Sequence, residues 1–164
     1  MVSQEPSLMH RTIGENIEYG SKNELDDEDL QKAARASDSL NFIEEMSDYR
    51  GGIGFDSMVG DRGVKLSGGQ KQRLCIAVAR MKDADIICFD EPTSGLDYQN
   101  MIAVSNLLLK LSQRGKTLFV VTHDYEFLMS TCTHVMNLEK GSIRDYYAVT
   151  KDSAHKVYET MFLG

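Results

Sequence analysis

The run Leu66-Ser67-Gly68-Gly69-Gln70-Lys71-Gln72-Arg73 constrains this chain more than any other stretch. It opens a helical segment reaching about Met81. A short apolar strand follows, Ile86-Ile87-Cys88-Phe89, and ends in the acid pair Asp90-Glu91. Two glycines after Ser67 leave room for phosphate oxygens close to the backbone, and the Ser67 hydroxyl with the N–H groups of a helix start can hold an anion. Carboxylates at the C-terminal end of a buried strand suit a metal and a primed water. A phosphate cradle followed by a metal acid points to nucleotide hydrolysis.

Downstream, Pro92 closes the strand and Thr93-Ser94-Gly95-Leu96-Asp97 turns the chain. A helix is predicted from about Tyr98 to Gln113, with Tyr98, Met101, Ile102, Ser105, Leu108, Leu109 and Ser112 on its inward side. Gly115 ends it, and Thr117 to Val121 reads as a buried parallel strand. His123 then falls just past that strand's end, on the rim expected for Asp90 and Glu91. A short helix from Tyr125 to Ser130, a hairpin of His134–Leu138 with Ser142–Tyr146, and a terminal helix with Val157, Met161 and Phe162 inward complete the chain.

Upstream, Asp26 or Asp27 caps a helix whose first turn is acidic, with Leu30, Ala33, Ala34 and Ser37 on one face. A second piece, Leu40 to Met46, carries Leu40, Ile43 and Met46 on a narrow apolar face. The acid run Asp26 to Asp29 is a solvated helix start, not a metal site. Gly51-Gly52-Ile53-Gly54 breaks regular structure, and with no strand before it this is not a dinucleotide fingerprint.

With 41% apolar and 26% charged residues the composition is that of an ordinary globular domain, and a formal charge of −7 argues against a nucleic-acid groove. Cys75, Cys88 and Cys132 follow no metal-ligand spacing; the first two sit among apolar neighbours and read as small core residues with free thiols. No signal peptide is evident, and no uncharged apolar run approaches the ~20 residues needed to cross a bilayer. A role at a membrane therefore implies docking on a separate membrane-embedded chain or domain.

The motifs, in this order, resemble the ATP-binding cassette (ABC) family. Leu66 to Gln70 matches its signature, Ile86 to Asp90 its Walker B strand, Glu91 its catalytic carboxylate, Ser94-Gly95-Leu96-Asp97 its D-loop and His123 its switch histidine. Gln4 before Glu5-Pro6 resembles the Q-loop, Thr12 to Ile17 the exporter-type continuation, and Val59-Gly60-Asp61-Arg62-Gly63 the exporter X-loop. Glu91 to Asp97 is closer to importer-type cassettes, so the direction of transport stays open.

The resemblance implies an α/β, P-loop NTPase-type partial parallel sheet flanked by helices, with a helical signature subdomain. It divides the chain into a Q-loop segment (1–20), helical subdomain and X-loop (21–66), a core with signature helix, Walker B, D-loop and H-loop (67–146), and a helical tail (147–164). It implies ATP and Mg²⁺ as ligands, with Asp90 and Gln4 at the metal. Ser67, Gly68, Gly69, Gln70 and Asp97 would serve the nucleotide in a head-to-tail dimer of cassettes, and Glu91 and His123 would be catalytic. The Q- and X-loops would touch a transmembrane domain at the cytoplasmic face of a membrane. Two other readings stay open: a truncated cassette that only supplies a signature face in trans, and a soluble ABC ATPase unconnected with transport.

A whole cassette also needs the P-loop, G-x-x-x-x-G-K-[ST]. The Gly115-Lys116-Thr117 triplet does not supply it, because Lys110 stands where the first glycine is required and a strand follows where a helix must. The chain thus resembles the later portion of a cassette, whose P-loop lies upstream of the Q-loop. Weak ATP binding by these 164 residues alone is the expected outcome, measured by calorimetry. Tight binding would contradict it.

Overall fold

The computed structural model describes residues 8–19, 21, 25–60 and 64–162. The chain divides into two compact units, Met1–Val121 and Thr122–Gly164.

The first unit begins with α1 (Ile13–Glu18), a helix not anticipated from the sequence. Its start is a reciprocal cap: Thr12 Oγ1 accepts the Glu15 N–H at 3.1 Å while Glu15 Oε2 accepts the Thr12 N–H at 2.9 Å. The helix α2 (Asp27–Ala36) is capped by Asp26, which accepts the Asp29 N–H at 2.8 Å. The acid run is therefore a helix start, as its composition implies, and Lys32 pairs with Glu28 one turn on at 3.0 Å. A short α3 (Leu40–Glu44) follows.

Helices α1 and α2 pack against α4 (Gly68–Met81), and α3 packs against α2. Ile13, Ile17, Leu30, Ala33, Ala34, Leu40, Ile43, Met46, Val59, Leu66, Leu74 and Ala77 form one buried cluster. Each large aliphatic side chain sealed there contributes about 1.5–3 kcal/mol. The small Ala33, Ala34 and Ala77 allow the helix backbones to come close.

The strands β1 (Ile86–Asp90) and β2 (Thr117–Val121) pair in parallel, with Ile86 opposite Thr117 and Asp90 opposite Val121. Between them runs α5 (Tyr98–Gln113), and Gly115, at φ +81°, turns the chain into β2. Burial differs from expectation here. Ile87 and Phe89 are inside, but the opposite face of the sheet is open, with Ile86 61%, Phe119 48% and Val121 62% exposed. A parallel pair is normally covered on both faces. Cys88 lies on the open face and is exposed, not a core residue. Cys75 is largely enclosed, and burial pushes its thiol up to about 11.

The inward side of α5 also differs. Met101, Val104, Ser105, Leu107, Leu108 and Leu111 are buried, whereas Tyr98 and Ser112 face solvent. The buried face is rotated from the predicted stripe, because Tyr98 is apolar by type but lies exposed at the helix tip.

The glycine-rich stretch contains a 3₁₀ turn (Gly54–Asp56) and is organised by Asp48. Its Oδ1 accepts the N–H groups of Arg50 at 2.7 Å and Gly52 at 2.9 Å, and Oδ2 accepts that of Met58 at 2.7 Å. A side chain at residue 52 would collide with the Asp56 carbonyl oxygen, so glycine is required there.

In the second unit, α6 (Tyr125–Thr131) starts on an Asp124 cap. An antiparallel hairpin of β3 (His134–Glu139) and β4 (Ser142–Ala148) follows, both strands slightly longer than predicted. Its turn uses two left-handed residues, Lys140 (φ 50°) and Gly141 (φ 80°), which match the strand twist. The helix α7 (Ala154–Phe162) is tied to β4 by Lys156 Nζ to Asp145 at 2.9 Å and by Tyr147 Oη with Thr160 at 3.2 Å. Val157 is fully buried as expected, but Phe162 is 54% exposed and leans against the rings of Tyr125 and Tyr158.

The three amide hydrogen bonds, that from Met58 foremost, hold the Asp48 carboxyl below its ordinary value of 3.8. A lowered folded pKa stabilises above the unfolded value, and that stability is lost as pH falls through the folded value. Asp48→Asn is expected to lower the melting temperature at pH 7, since one carboxylate oxygen becomes an NH₂ facing an N–H. The gap from wild type should close as the pH drops below 3.8, followed by circular dichroism.

Candidate functional site

The residues singled out in the first unit lie on two helix starts and one strand end. The first helix start is Ser67, extended at φ −65° and ψ 162°. Its Oγ accepts the Gln70 N–H at 3.2 Å, Gln70 Oε1 accepts the Ser67 N–H at 2.9 Å, and Lys71 N–H donates to the Ser67 carbonyl at 2.9 Å. With those groups engaged, the N–H groups of Gly68 and Gly69 at the helix start are left without a partner among the described residues, backed by the positive end of the helix dipole. Ser67 and Gly68 are exposed and Gly69 is buried. Gln70 is thus a helix-capping residue as much as a surface one, a role that the Ser-x-x-Gln spacing could have announced.

The second helix start is Asp97, the cap of α5. Its Oδ1 accepts the Asn100 N–H at 2.9 Å and its Oδ2 accepts Asn100 Nδ2 at 2.8 Å. Those bonds, the backbone one foremost, hold the Asp97 carboxyl below the usual carboxylate range. The two starts touch. A Cβ on Gly69 would lie 2.7 Å from Asn100 Oδ1, and one on Gly68 would lie 3.5 Å from Leu96 Cδ2. Asn100 is therefore part of the site, although sequence reasoning passed over it. Its one visible signal is its place three residues after a capping Asp.

The strand end carries Asp90 and Glu91, both half-buried. The Glu91 amide donates to the Val121 carbonyl at 2.9 Å, continuing the β1–β2 ladder by one residue. Its φ of +47° is left-handed, a conformation that costs a residue with a side chain about 1–2 kcal/mol. Ser94 N–H returns to the Glu91 carbonyl at 3.1 Å, and Gly95 takes φ +70° in the turn that delivers Leu96 and Asp97. Strain of this kind, set at a carboxylate on a strand tip, is typical of functional positions.

His123 is exposed and is the second residue of the second unit, two residues after β2 ends. Gln4 lies outside the described residues, as do Asp61, Arg62 and Gly63 of the expected X-loop. Among the described residues no cluster of three or more His, Cys, Asp or Glu could hold a metal, and no helix is long and apolar enough to cross a membrane.

A family model described as ABC transporter matches residues 1–94. The chain belongs to the ABC transporter family. Within it, the chain is 41% identical over 143 residues to an uncharacterized ABC transporter ATP-binding protein of Haemophilus influenzae, covering 87% of this chain and 23% of that protein. It is 42% identical over 123 residues to an ATP-dependent lipid A-core flippase of Alkalilimnicola ehrlichii, covering 75% of this chain and 20% of the flippase. Among solved structures, a bacterial Atm1-family ABC exporter with ATP bound aligns with a TM-score of 0.78 at 27% identity, over 97% of this chain and 27% of the exporter. The chain thus spans no more than about a quarter of the length of these relatives (23%, 20% and 27%). Its fold is the α/β, NTPase-type arrangement of exporter cassettes.

The closeness of Gly69 to Asn100 yields a stability test. Gly69→Ala is expected to cost about 1–3 kcal/mol, as overpacking does, because the Asn100 side chain must leave Asp97 to make room. Adding Asn100→Ala should restore much of that loss in denaturant unfolding.

Proposed function

We propose that this chain is the later portion of an ATP-hydrolysing cassette that powers transport across a membrane. The observation that supports this most strongly is the packing of the Ser67-started helix against the Asp97-started helix, in the unit that also bears Asp90 and Glu91. A signature and a D-loop that touch in one chain form a face suited to a phosphate held by another.

In this reading two cassettes pack head to tail, the P-loop of each holding ATP. The Gly68 and Gly69 amides and Ser67 meet the γ-phosphate bound by the partner, where aligned N–H groups stabilise the charge of the transferring group. The donors also fit Mg²⁺ with ATP. The Asp90 carboxylate makes no hydrogen bond or ion pair among the described residues, so a hard oxygen remains for a cation. With no dense acid cluster among the described residues, the rest of the coordination would come from phosphate oxygens and water, as Mg²⁺ prefers. Asp90 and, by resemblance, Gln4 would hold it, and when bound it neutralises phosphate charge.

Glu91 acts as general base. Water attacks the γ-phosphorus, its proton passes to the Glu91 carboxylate, and the bond to the bridging oxygen breaks so that ADP leaves with that electron pair. The left-handed backbone at Glu91 sets the direction of the carboxylate relative to the strand. By resemblance His123 orients the water and γ-phosphate, and Asp97 belongs to the loop that links the two sites. A transmembrane domain would dock through the loops at Gln4 and Val59–Gly63, placing the cassette at the cytoplasmic face.

Glu91→Gln in the complete assembly is expected to abolish turnover while leaving nucleotide bound. Loss of a positioned base costs about 10²–10⁴-fold in rate, read as phosphate release beside equilibrium nucleotide binding. Full activity in this variant would remove Glu91 from the role.

A further inference from the structure

The signature helix is gripped at a second point, one that the proposed chemistry does not use. Arg73 lies six residues after the Ser67 cap. Its Nη1 donates to the Asp38 carbonyl at 3.3 Å, and its guanidinium lies 5.2 Å from the centroid of the Phe42 ring. Asp38 sits in the turn between α2 and α3 with φ +51°, the left-handed region.

That turn is internally closed. Ser37 and Ser39 are fully buried, and Ser37 Oγ donates to Ser39 Oγ at 2.9 Å. The Ser39 N–H donates to the Ala34 carbonyl at 2.7 Å. With its neighbours turned inward, the carbonyl of Asp38 is available to α4. Its carboxylate meets Lys110 of α5 at 4.0 Å, an exposed pair of small energetic value. One turn thus touches both helices whose starts form the phosphate-facing surface. Arg73 Nε is buried and has no hydrogen-bond partner among the described residues. Among the described residues the grip therefore rests on one hydrogen bond and on the guanidinium placed over the Phe42 ring, a combination that lysine reproduces only in part.

We infer that Arg73 is a positioning residue for the phosphate-facing end of α4, holding the helix through the Asp38 turn and the Phe42 ring. Released from that hold, α4 could roll on its apolar cluster, and the Gly68 and Gly69 amides would be misaimed. The inference rests on the cassette reading for its effect on rate, but not for its effect on the helix. The cost should appear in turnover and not in nucleotide affinity, because the P-loop of the opposite cassette supplies most of the binding.

The test uses the intact protein with its partner cassette, comparing wild type, Arg73→Ala, Arg73→Lys, Phe42→Ala and a core control, Leu30→Ala. Arg73→Ala is expected to lower kcat about tenfold or more, as small misplacements near chemistry do, with ATP affinity at equilibrium unchanged within about twofold. Arg73→Lys should recover only part of the loss, and Arg73→Ala with Phe42→Ala should be no worse than Arg73→Ala alone, since both remove one contact. Hydrogen exchange should quicken about tenfold at the Gln70 and Lys71 amides, without the uniform rise across α1 to α4 expected of Leu30→Ala.

Wild-type kcat together with wild-type exchange at residues 70 and 71 in Arg73→Ala would overturn the inference. So would an exchange pattern matching that of Leu30→Ala, which would mark plain destabilisation. If the intact protein hydrolyses no ATP, the cassette reading fails and the exchange comparison alone decides the role of Arg73.

Discussion

The first unit depends on α4 being held on two sides by packing of different character. On one side Leu74 and Ala77 join the apolar cluster of α1, α2 and α3. On the other, Gly69 meets α5 so closely that the Asn100 side chain occupies the space a Cβ would need. Apolar burial fixes the depth of the helix but tolerates some sliding, whereas the glycine contact and the Arg73 hydrogen bond are directional. The first turn of α4, with the amides of Gly68 and Gly69, is thereby fixed by neighbours on both flanks. Preorganised donors of this kind favour charge that develops during reaction, because they need no rearrangement when it appears.

The other half of the site is organised by backbone strain. Glu91 continues the hydrogen-bonding of β1 for one residue and then leaves it through a left-handed bend, so its carboxylate and that of Asp90 cannot follow the simple alternation of a strand. The turn from Glu91 to Asp97 is short, and its end caps α5 directly. The acid pair, the turn and the helix start are hence one continuous device, in which displacement of any part moves the others.

Much of this was legible in the sequence. The order of Ser67-Gly68-Gly69-Gln70, Asp90-Glu91, Asp97 and His123 carries the family, because each motif encodes local backbone chemistry in a few adjacent residues. Helix boundaries marked by a capping acid, as at Asp26, could be read for the same reason. Asn100, Asp48 and Arg73 escaped because their partners lie on other elements: a glycine about thirty residues away, a loop folding back on itself, a turn in the helical region. The α5 stripe was misjudged because Tyr98 is apolar by type but exposed by position. The two-sided burial expected of Thr117–Val121 failed because strand composition reports how a side chain prefers to be covered, not whether a cover is present.

That uncovered sheet face has a practical consequence. Ile86, Phe119 and Val121 form a greasy platform with the Cys88 thiol among them, bounded by strand edges. Prepared as a separate polypeptide, the chain would tend to stick to itself through this patch. Stacked copies would bring thiols near one another, so air oxidation during storage would turn a reversible cling into crosslinked aggregate. Handling under reductant, or with serine at position 88, would keep the two processes apart.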